Sequence, residues 1–301
     1  MTSVEAVVVD HASGEMLSGC VSSLFAAGAS QVLVVDNAVP AGRSKDVLSV
    51  SLDISGSDPA PVRVVETGVN VGYGAGANRG VARCEAEFVL VCNPDLVVEV
   101  DSLRLLSDAL VADGRLAIVG PKVLGADGSR YPSARRFPDL IEAAGHALAG
   151  LIAPNNRFSR RYRMTELPAQ ETTWVDWVSG SCMLVRREAF EQLGGFDEEY
   201  FMYAEDVDLC WRAHRAGWGV AYVPEASATH LGGVSTSARP YRMLLAHHRS
   251  TLRFAGRTLS GFRRAALPAI AVALSVRLVV EMARSAAAGL AARGSTGGDG
   301  A

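Results

Sequence analysis

The sequence predicts an α/β fold, with a central, mostly parallel sheet flanked by helices and a helical extension at the C-terminal end. Three observations predict it. Short Val-rich runs alternate with helix-length stretches through the first 120 residues, the pattern of strands covered on both faces by crossover helices. Polar residues stand where several of those apolar runs end, among them Asp36, Asn37, Asn93 and Asp95. From Pro240 to Arg293 the chain reads as helices with a marked excess of Arg.

Val4–Asp10 reads as a buried strand, and residues 15–27 as a helix closed by Gly28. Residues 31–37, 62–67 and 88–92 give three more strands, and 116–123 a further one. Helices are expected around 75–84 and 102–112. Residues 125–173 are less regular: Asp127-Gly128 marks a tight turn, and Pro132, Pro138, Pro154 and Pro168 punctuate the stretch. A second ordered unit is expected over 174–228. Gly256, Gly261 and Pro268 are expected to interrupt the C-terminal helices, and the Gly/Ser-rich residues 294–301 to be disordered.

With 301 residues, 49% of them hydrophobic, the chain can form one large α/β domain with an extension, or two small domains. A net charge of −3 argues against a general nucleic-acid binder. The charge is uneven, however: from Arg239 to Arg293 there are ten Arg and one acidic residue, Glu281. A basic tail on a near-neutral body suggests an anionic partner there, a phosphate or a membrane surface. The five cysteines, with no CxxC, read as reduced core thiols in a cytoplasmic protein. No charged segment followed by an apolar one opens the chain, so no signal peptide is expected.

In open α/β sheets, ligands bind beyond the carboxyl ends of the strands, so the residues there are the first candidates. Asp36 can accept hydrogen bonds from a base or ribose, or serve as a turn or cap residue. Gly72-Tyr73-Gly74-Ala75-Gly76-Ala77-Asn78 contains the spacing G-x-G-x-x-A. That spacing is weak evidence alone and follows the third strand rather than the first. It reads as a close helix–sheet contact or as a ligand-facing loop, and the polar Asn78 and Arg79 favour the second. In Asn93-Pro94-Asp95, the proline sets a turn and Asp95 closes an apolar strand, a good place to hold Mg²⁺ or Mn²⁺ against a diphosphate. Further on come Gly180-Ser181, Gly194-Gly195-Phe196-Asp197, and Glu205-Asp206-Val207-Asp208 at a helix start. Acidic residues at that position suit the helix dipole, but this does not explain their place beside an aromatic run. His230 is a lone histidine that needs Asp95 nearby to take a metal role.

Together these motifs resemble the family-2 inverting glycosyltransferases of the GT-A fold. The carriers, in the family's order and over roughly residues 4–235, are Val35-Asp36-Asn37, the Gly72–Asn78 stretch, Asn93-Pro94-Asp95, Gly180-Ser181, Gly194–Asp197, Glu205-Asp206 and His230. The resemblance is closest to actinobacterial rhamnosyltransferases of the WbbL type, supported by Asp127–Arg135 and by Tyr200-Phe201-Met202-Tyr203. It implies transfer of rhamnose from dTDP-rhamnose to N-acetylglucosaminyl-diphospho-polyprenol, in building a cell-wall linker. It implies a GT-A domain over 1–235 and a basic, apolar helical extension over 236–293.

The resemblance also implies roles. Asp206 is the general base. Asp95, in a motif whose first acid is here Asn93, and His230 hold the metal. Asp36 reads the nucleotide, with Asn37, Gly72, Tyr73, Gly74, Asn78 and Asn93 on the donor side. Gly180, Ser181, Glu205 and Asp208 support the acceptor side. Asp10 is a nucleotide contact at a strand end where the family carries Tyr-Asn or Asn-Tyr and this chain has Asp10-His11.

Residues 265–280 are strongly apolar but hold Pro268 and Arg277, and fall short of the roughly 20 residues of a spanning helix. They read as a core-packing helix or as an interfacial helix with Arg263, Arg264, Arg277 and Arg284 on anionic lipid. A lipid-linked acceptor fits the second, so the expected location is peripheral, on the inner face of the plasma membrane. Three other readings fit less well. A nucleotidyltransferase would want a basic N-terminal loop that Asp10–Ser13 does not provide. A nicotinamide dehydrogenase would want its glycines after the first strand. A silent nucleotide-sugar-binding protein would not need both Asp95 and Asp206.

Overall fold

The computed structural model describes residues 3–38, 41–51, 62–137, 171–232 and 240–295. The expectations for Pro138, Pro154, Pro168 and residues 296–301 lie outside the described residues. The chain divides into two compact units: Met1–Glu199 with Glu205–Gly233, and Tyr200–Ala204 with Val234–Ala301.

The first unit is built on one sheet. Strands β1 (Val4–Asp10), β2 (Gln31–Asp36), β3 (Val62–Glu66) and β4 (Phe88–Cys92) alternate with helices α1 (Glu15–Ala26), α2 (Arg43–Ser51) and α3 (Tyr73–Val81). These four strands are parallel, in the order β3-β2-β1-β4. β5 (Leu96–Val98), α4 (Ser102–Ala112) and β6 (Leu116–Gly125) follow. β7 (Arg130–Tyr131) pairs with β6, and β8 (Ala134–Arg135) forms a separate antiparallel ribbon with β10 (Trp177–Val178). β9 (Thr173–Trp174) and β5 both pair antiparallel with the long β12 (Gly219–His230).

Residues 174–228 do not form a separate ordered unit. β11 (Cys182–Arg186) inserts antiparallel between β4 and β6, and β12 continues the sheet parallel to β6. Between β11 and β12 lie α5 (Arg187–Gln192) and α6 (Glu205–Arg215). The sheet is mixed because β11 reverses direction, which the apolarity of Cys182–Val185 alone does not reveal.

Strand periodicity explains the two buried faces. Ala6, Val8, Val32, Val34, Leu90 and Leu184 join Leu17, Leu24, Leu103 and Leu106 in one core. Val7, Val9 and Val35 face the other way, onto α3. That helix packs close because Gly76 and Gly80 carry no side chain. A Cβ on Gly76 would stand 2.9 Å from Val9 Cγ1, and one on Gly80 would collide with Val7. These two glycines therefore serve helix–sheet contact. All five cysteines are free and buried.

The second unit holds α7 (Pro240–Thr258), a 3₁₀ turn over Gly261–Ala266, and α8 (Leu267–Ser295). Within it the segment Tyr200–Ala204 packs on α7: Arg253 lies 5.2 Å from the Tyr200 ring centroid, Tyr203 meets His247 edge-on at 5.4 Å, and Ser250 Oγ donates to Met202 O at 2.8 Å. Tyr203 and Ala204 both have positive φ, 68° and 65°, a strained pair directly before Glu205.

The C-terminal helices differ from the sequence expectation at three points. Gly256 lies inside α7, and only Gly261, at φ 57°, marks a break. Pro268 does not interrupt the last helix, because it sits in the first turn, where a missing N–H leaves no hydrogen bond unmade. Gly294 and Ser295 belong to α8. The apolar stretch is consequently longer than expected: residues Gly261–Ala286 are, by length and composition, apolar enough to cross a membrane.

Candidate functional site

Strand register brings Asp95 and His230 together. β5 runs antiparallel to the end of β12, with Leu96 opposite His230, so the residue before β5 meets the last residue of β12. His230 Nε2 lies 3.0 Å from Asp95 Oδ1, and Leu231 N–H donates to Asp95 O at 2.9 Å. Asn93 Nδ2 stands 3.5 Å from the same histidine nitrogen. Tyr131 packs edge-on against the His230 ring at 6.2 Å. Both side chains stay partly accessible, at 21% and 13%. The sequence condition for His230, a neighbouring Asp95, is met.

A second group forms around Gly180. Its N–H donates to Asp206 Oδ2 at 2.8 Å, and Val207 N–H donates to Oδ1 at 2.8 Å. Tyr73 Oη donates to Gly180 O at 2.5 Å. Ser181 O accepts from Asn93 N–H at 2.9 Å, which ties this turn to the Asn93–Asp95 turn. Ser181 Oγ lies 3.0 Å from Ser179 Oγ. Position 180 must be small, since a Cβ there would stand 3.1 Å from Asp206 Cβ. Gly74 answers the same need against Phe196 and Glu205, at 2.9 and 3.6 Å.

The electrostatics separate the two adjacent carboxyls. Burial, then the charge of Asp206, pushes Glu205 up to about 8. Among the described residues Glu205 Oε2 has no hydrogen-bond partner. Burial also raises Asp206, but the Gly180 and Val207 amides and the nearby Arg135 guanidinium pull it back. Glu205 thus holds its proton near neutrality, while Asp206 stays raised above the usual carboxylate range, its two amide hydrogen bonds fixing its orientation. Burial, with Cys92, Glu205 and Asp206 adding to it, keeps the Tyr73 phenol protonated and donating.

The donor-side residues are tied mainly to one another. Asp36 Oδ1 accepts from Ala38 N–H at 3.0 Å, and Oδ2 from Gly42 and Ser44 N–H at 2.8 and 3.3 Å, bracing the start of α2. Asp10 Oδ1 accepts from the amide and hydroxyl of Ser13, and Oδ2 from Ser44 Oγ at 2.7 Å. Both aspartates are buried. Asn37 donates to Asn70 Oδ1 and Gly72 O, and accepts from Val71 N–H and Thr67 Oγ1. It shapes the loop that enters α3. Asn78 exchanges hydrogen bonds with the backbone of Phe196 at 2.9 Å and reaches Glu198 Oε1 at 3.0 Å. Asp208 pairs with Arg212 at 2.7 Å, and Arg212 in turn holds Leu193 O and Gly195 O. Asn78 and Asp208 thereby position the Gly194–Asp197 loop.

The sequence motifs assign Arg135 no role of its own, although it closes the Asp127–Arg135 stretch. Its guanidinium carbon lies 4.8 Å from the Trp177 ring centroid and 5.7 Å from that of Tyr131, and Nε donates to Pro132 O at 2.8 Å. In the ribbon register Arg135 faces Trp177, three residues before the Gly180 amide that holds Asp206. A sequence signal existed in the paired aromatics at 131 and 177, a setting suited to a planar guanidinium.

Among the described residues no group of three His, Cys, Asp or Glu side chains converges to hold a metal ion. Asp95 and His230, with Asn93 beside them, are the polar side chains that meet at this strand edge.

Comparison with known proteins agrees with this arrangement. The model of the glycosyltransferase-like family 2 matches residues 3–253. The chain is 43% identical over 217 residues to the N-acetylglucosaminyl-diphospho-decaprenol L-rhamnosyltransferase of Mycobacterium tuberculosis, covering 68% of this chain and 70% of that one. It is 29% identical over 201 residues to the rhamnosyltransferase WbbL of Escherichia coli, 62% of this chain and 71% of that one. Among solved structures, a mannosyltransferase from Pyrobaculum calidifontis in complex with GDP-Man and Mn²⁺ shares the fold at a TM-score of 0.58 and 16% identity, over 98% of this chain and 80% of that one. With a family match over most of its length and 43% identity across more than two thirds of a curated member, this chain belongs to glycosyltransferase family 2.

Proposed function

We propose that this protein is an inverting rhamnosyltransferase that moves L-rhamnose from dTDP-rhamnose to N-acetylglucosaminyl-diphospho-polyprenol in cell-wall linker assembly. The observation that carries the reading is the 43% identity to a relative named for that transfer. The site chemistry supports it.

An acceptor hydroxyl is a poor nucleophile at neutral pH, and a carboxylate in hydrogen-bond reach takes its proton as the glycosidic bond forms. Asp206 is suited to this task, because two backbone amides fix its orientation and favour its charged form. Glu205, protonated beside it, adds no second negative charge against the anionic substrates. Attack from the side of Asp206, opposite the departing nucleotide, inverts the anomeric centre. Tyr73, through Gly180 O, and Asn93, through Ser181 O, hold the turn that presents the amide to the base.

The residues fit a divalent cation. Mg²⁺ and Mn²⁺ take few protein ligands and complete their shell with water and substrate phosphate oxygens. Asp95 Oδ1 and His230 Nε2, 3.0 Å apart and partly accessible, offer such a partial set. Bound there, the ion supplies neutralisation of the charge that develops on the leaving diphosphate. Asp10, Asp36 and Asn37 serve the donor by shaping the loops that receive it. The basic, apolar C-terminal helices suit work on a lipid-linked acceptor, with the enzyme peripheral on the inner face of the plasma membrane.

The test is a transfer assay with purified protein and N-acetylglucosaminyl-diphospho-lipid, comparing dTDP-rhamnose with UDP-sugars, with Mg²⁺ or Mn²⁺ and with EDTA. Product from dTDP-rhamnose that EDTA suppresses is the expected result. Product from another donor alone would replace the rhamnosyl assignment.

A further inference from the structure

The last helix presents an apolar face to water. Along α8 up to residue 286 the exposed positions are Pro268, Ala269, Val272, Ala273, Ser275, Val276, Val279, Ala283, Arg284 and Ala286; all but Ser275 and Arg284 are apolar, and they form a stripe on one half of the helix over about 27 Å. Val272, Val276 and Val279 are 64%, 59% and 66% exposed. The helix's ion pair is turned toward α7 rather than to that stripe. Arg277 Nε pairs with Glu281 Oε1 at 2.7 Å, and His248 of α7 faces Glu281 Oε2 at 3.8 Å. Ser275 bonds back to Ala271 O at 2.8 Å. A helix at the surface of a globular unit hides its valines; this one exposes Val272, Val276 and Val279, and an apolar surface of this kind marks an interaction site.

Charge identifies the occupant. Arg263 and Arg264 are exposed at the start of the stripe, beside Phe262 at 90% exposure, and Arg284 is exposed at its end. The one carboxylate of the helix, Glu281, is the one already paired with Arg277. Cations at both ends of an apolar face match anionic headgroups around an acyl-chain layer. The companion helix sets the orientation. α7 exposes Arg242, Arg249 and Arg253, and a spanning α8 would carry these charges into hydrocarbon with it.

We propose that α8 lies in the plane of an anionic membrane, with Val272, Val276 and Val279 seated among the acyl chains and Arg263, Arg264 and Arg284 on the headgroups. This rests on the membrane setting proposed above and adds the face, the depth and the orientation. In-plane seating would leave α7 among headgroups while the lipid-linked acceptor is drawn from the same surface.

Flotation of the full chain with vesicles of phosphatidylcholine and phosphatidylglycerol tests it. The protein should float with mixed vesicles and lose at least about tenfold of that binding on phosphatidylcholine alone. The triple variant Val272→Glu, Val276→Glu, Val279→Glu should lose it equally while keeping its circular dichroism. Val276→Trp should be quenched by lipids brominated high on the acyl chain and not by those brominated at the bilayer centre. Flotation unaffected by the triple variant would overturn the proposal. So would a dimer in solution that this variant dissociates, since a second copy would then cover the face. Transfer to a short-chain, water-soluble acceptor is measured in parallel. Lost flotation with retained transfer removes only the membrane proposal, and flotation without transfer removes only the enzymatic one.

Discussion

The amide of Gly180 donates to Asp206 Oδ2 at 2.8 Å, and the carbonyl of the same residue accepts from Tyr73 at 2.5 Å. One peptide turn thus fixes the carboxylate assigned as base and is itself held by a residue of α3. Replacing Asp206 by Asn keeps the size of the side chain and removes its basicity. The expected outcome is donor affinity within about twofold of the parent and kcat lowered by about 10²–10⁴-fold. Calorimetric donor binding beside steady-state kinetics checks this, and a near-normal kcat would remove Asp206 from the role.

Asp95 and His230 are expected to act as one unit. Asp95→Asn and His230→Ala should each raise the Mn²⁺ concentration for half-maximal rate by at least about tenfold, with little further loss in the double variant. A titration of rate against Mn²⁺ reads the effect. Additive losses would mean that the two residues work separately.

Glu205 makes a signed prediction about stability. Its pKa rises from 4.5 to about 8 on folding, so the folded chain holds the proton more tightly than the unfolded one. Stability from this group is full below about pH 4.5 and falls as pH rises toward 8. Glu205→Gln keeps the neutral form at every pH. Its Tm should therefore gain on the parent between pH 5 and 8 and match it near pH 4. Thermal melts across that range decide it, and a constant difference would show that ionisation of Glu205 is not involved.

Arg135 offers a test through the pH profile. The groups around Asp206 are Glu205 and Cys210 on its own helix, Tyr73 on α3 and Arg135 on β8. Arg135 is the cation among them. Arg135→Met retains stacking bulk and removes the charge, so Asp206 should ionise at higher pH. The acid limb of kcat/KM should move upward, whereas a purely structural loss would lower the whole profile without moving it.

Gly80→Ala places a methyl group against Val7 and 3.0 Å from Val35 Cγ2. Overpacking of this kind should cost about 1–3 kcal/mol. Denaturant unfolding should show an earlier midpoint. An unchanged midpoint would mean that α3 moves off the sheet at no cost.

Much of this protein was legible in order along the chain. Val-rich runs marked β1, β2 and β4, because a strand buried on both faces admits little else. The acids and amides at the strand ends marked the candidate edge, because ligands of open α/β sheets bind in the crevice beyond the carboxyl ends of the strands. What local pattern could not supply was pairing. Asp95 and His230 stand 135 residues apart and meet through the antiparallel register of β5 and β12. Cys182–Arg186 looks like any apolar run, yet it enters the sheet reversed. Asp36 and Asn78 have the composition of ligand contacts, and the fold also gives them bracing hydrogen bonds to neighbouring loops, because hydrogen-bond partners are chosen by proximity in space. The C-terminal helix carries the same lesson. Its sequence determined that it is apolar and flanked by arginine; only packing decided that the valines face outward and the ion pair inward, since which face a helix buries depends on what lies against it.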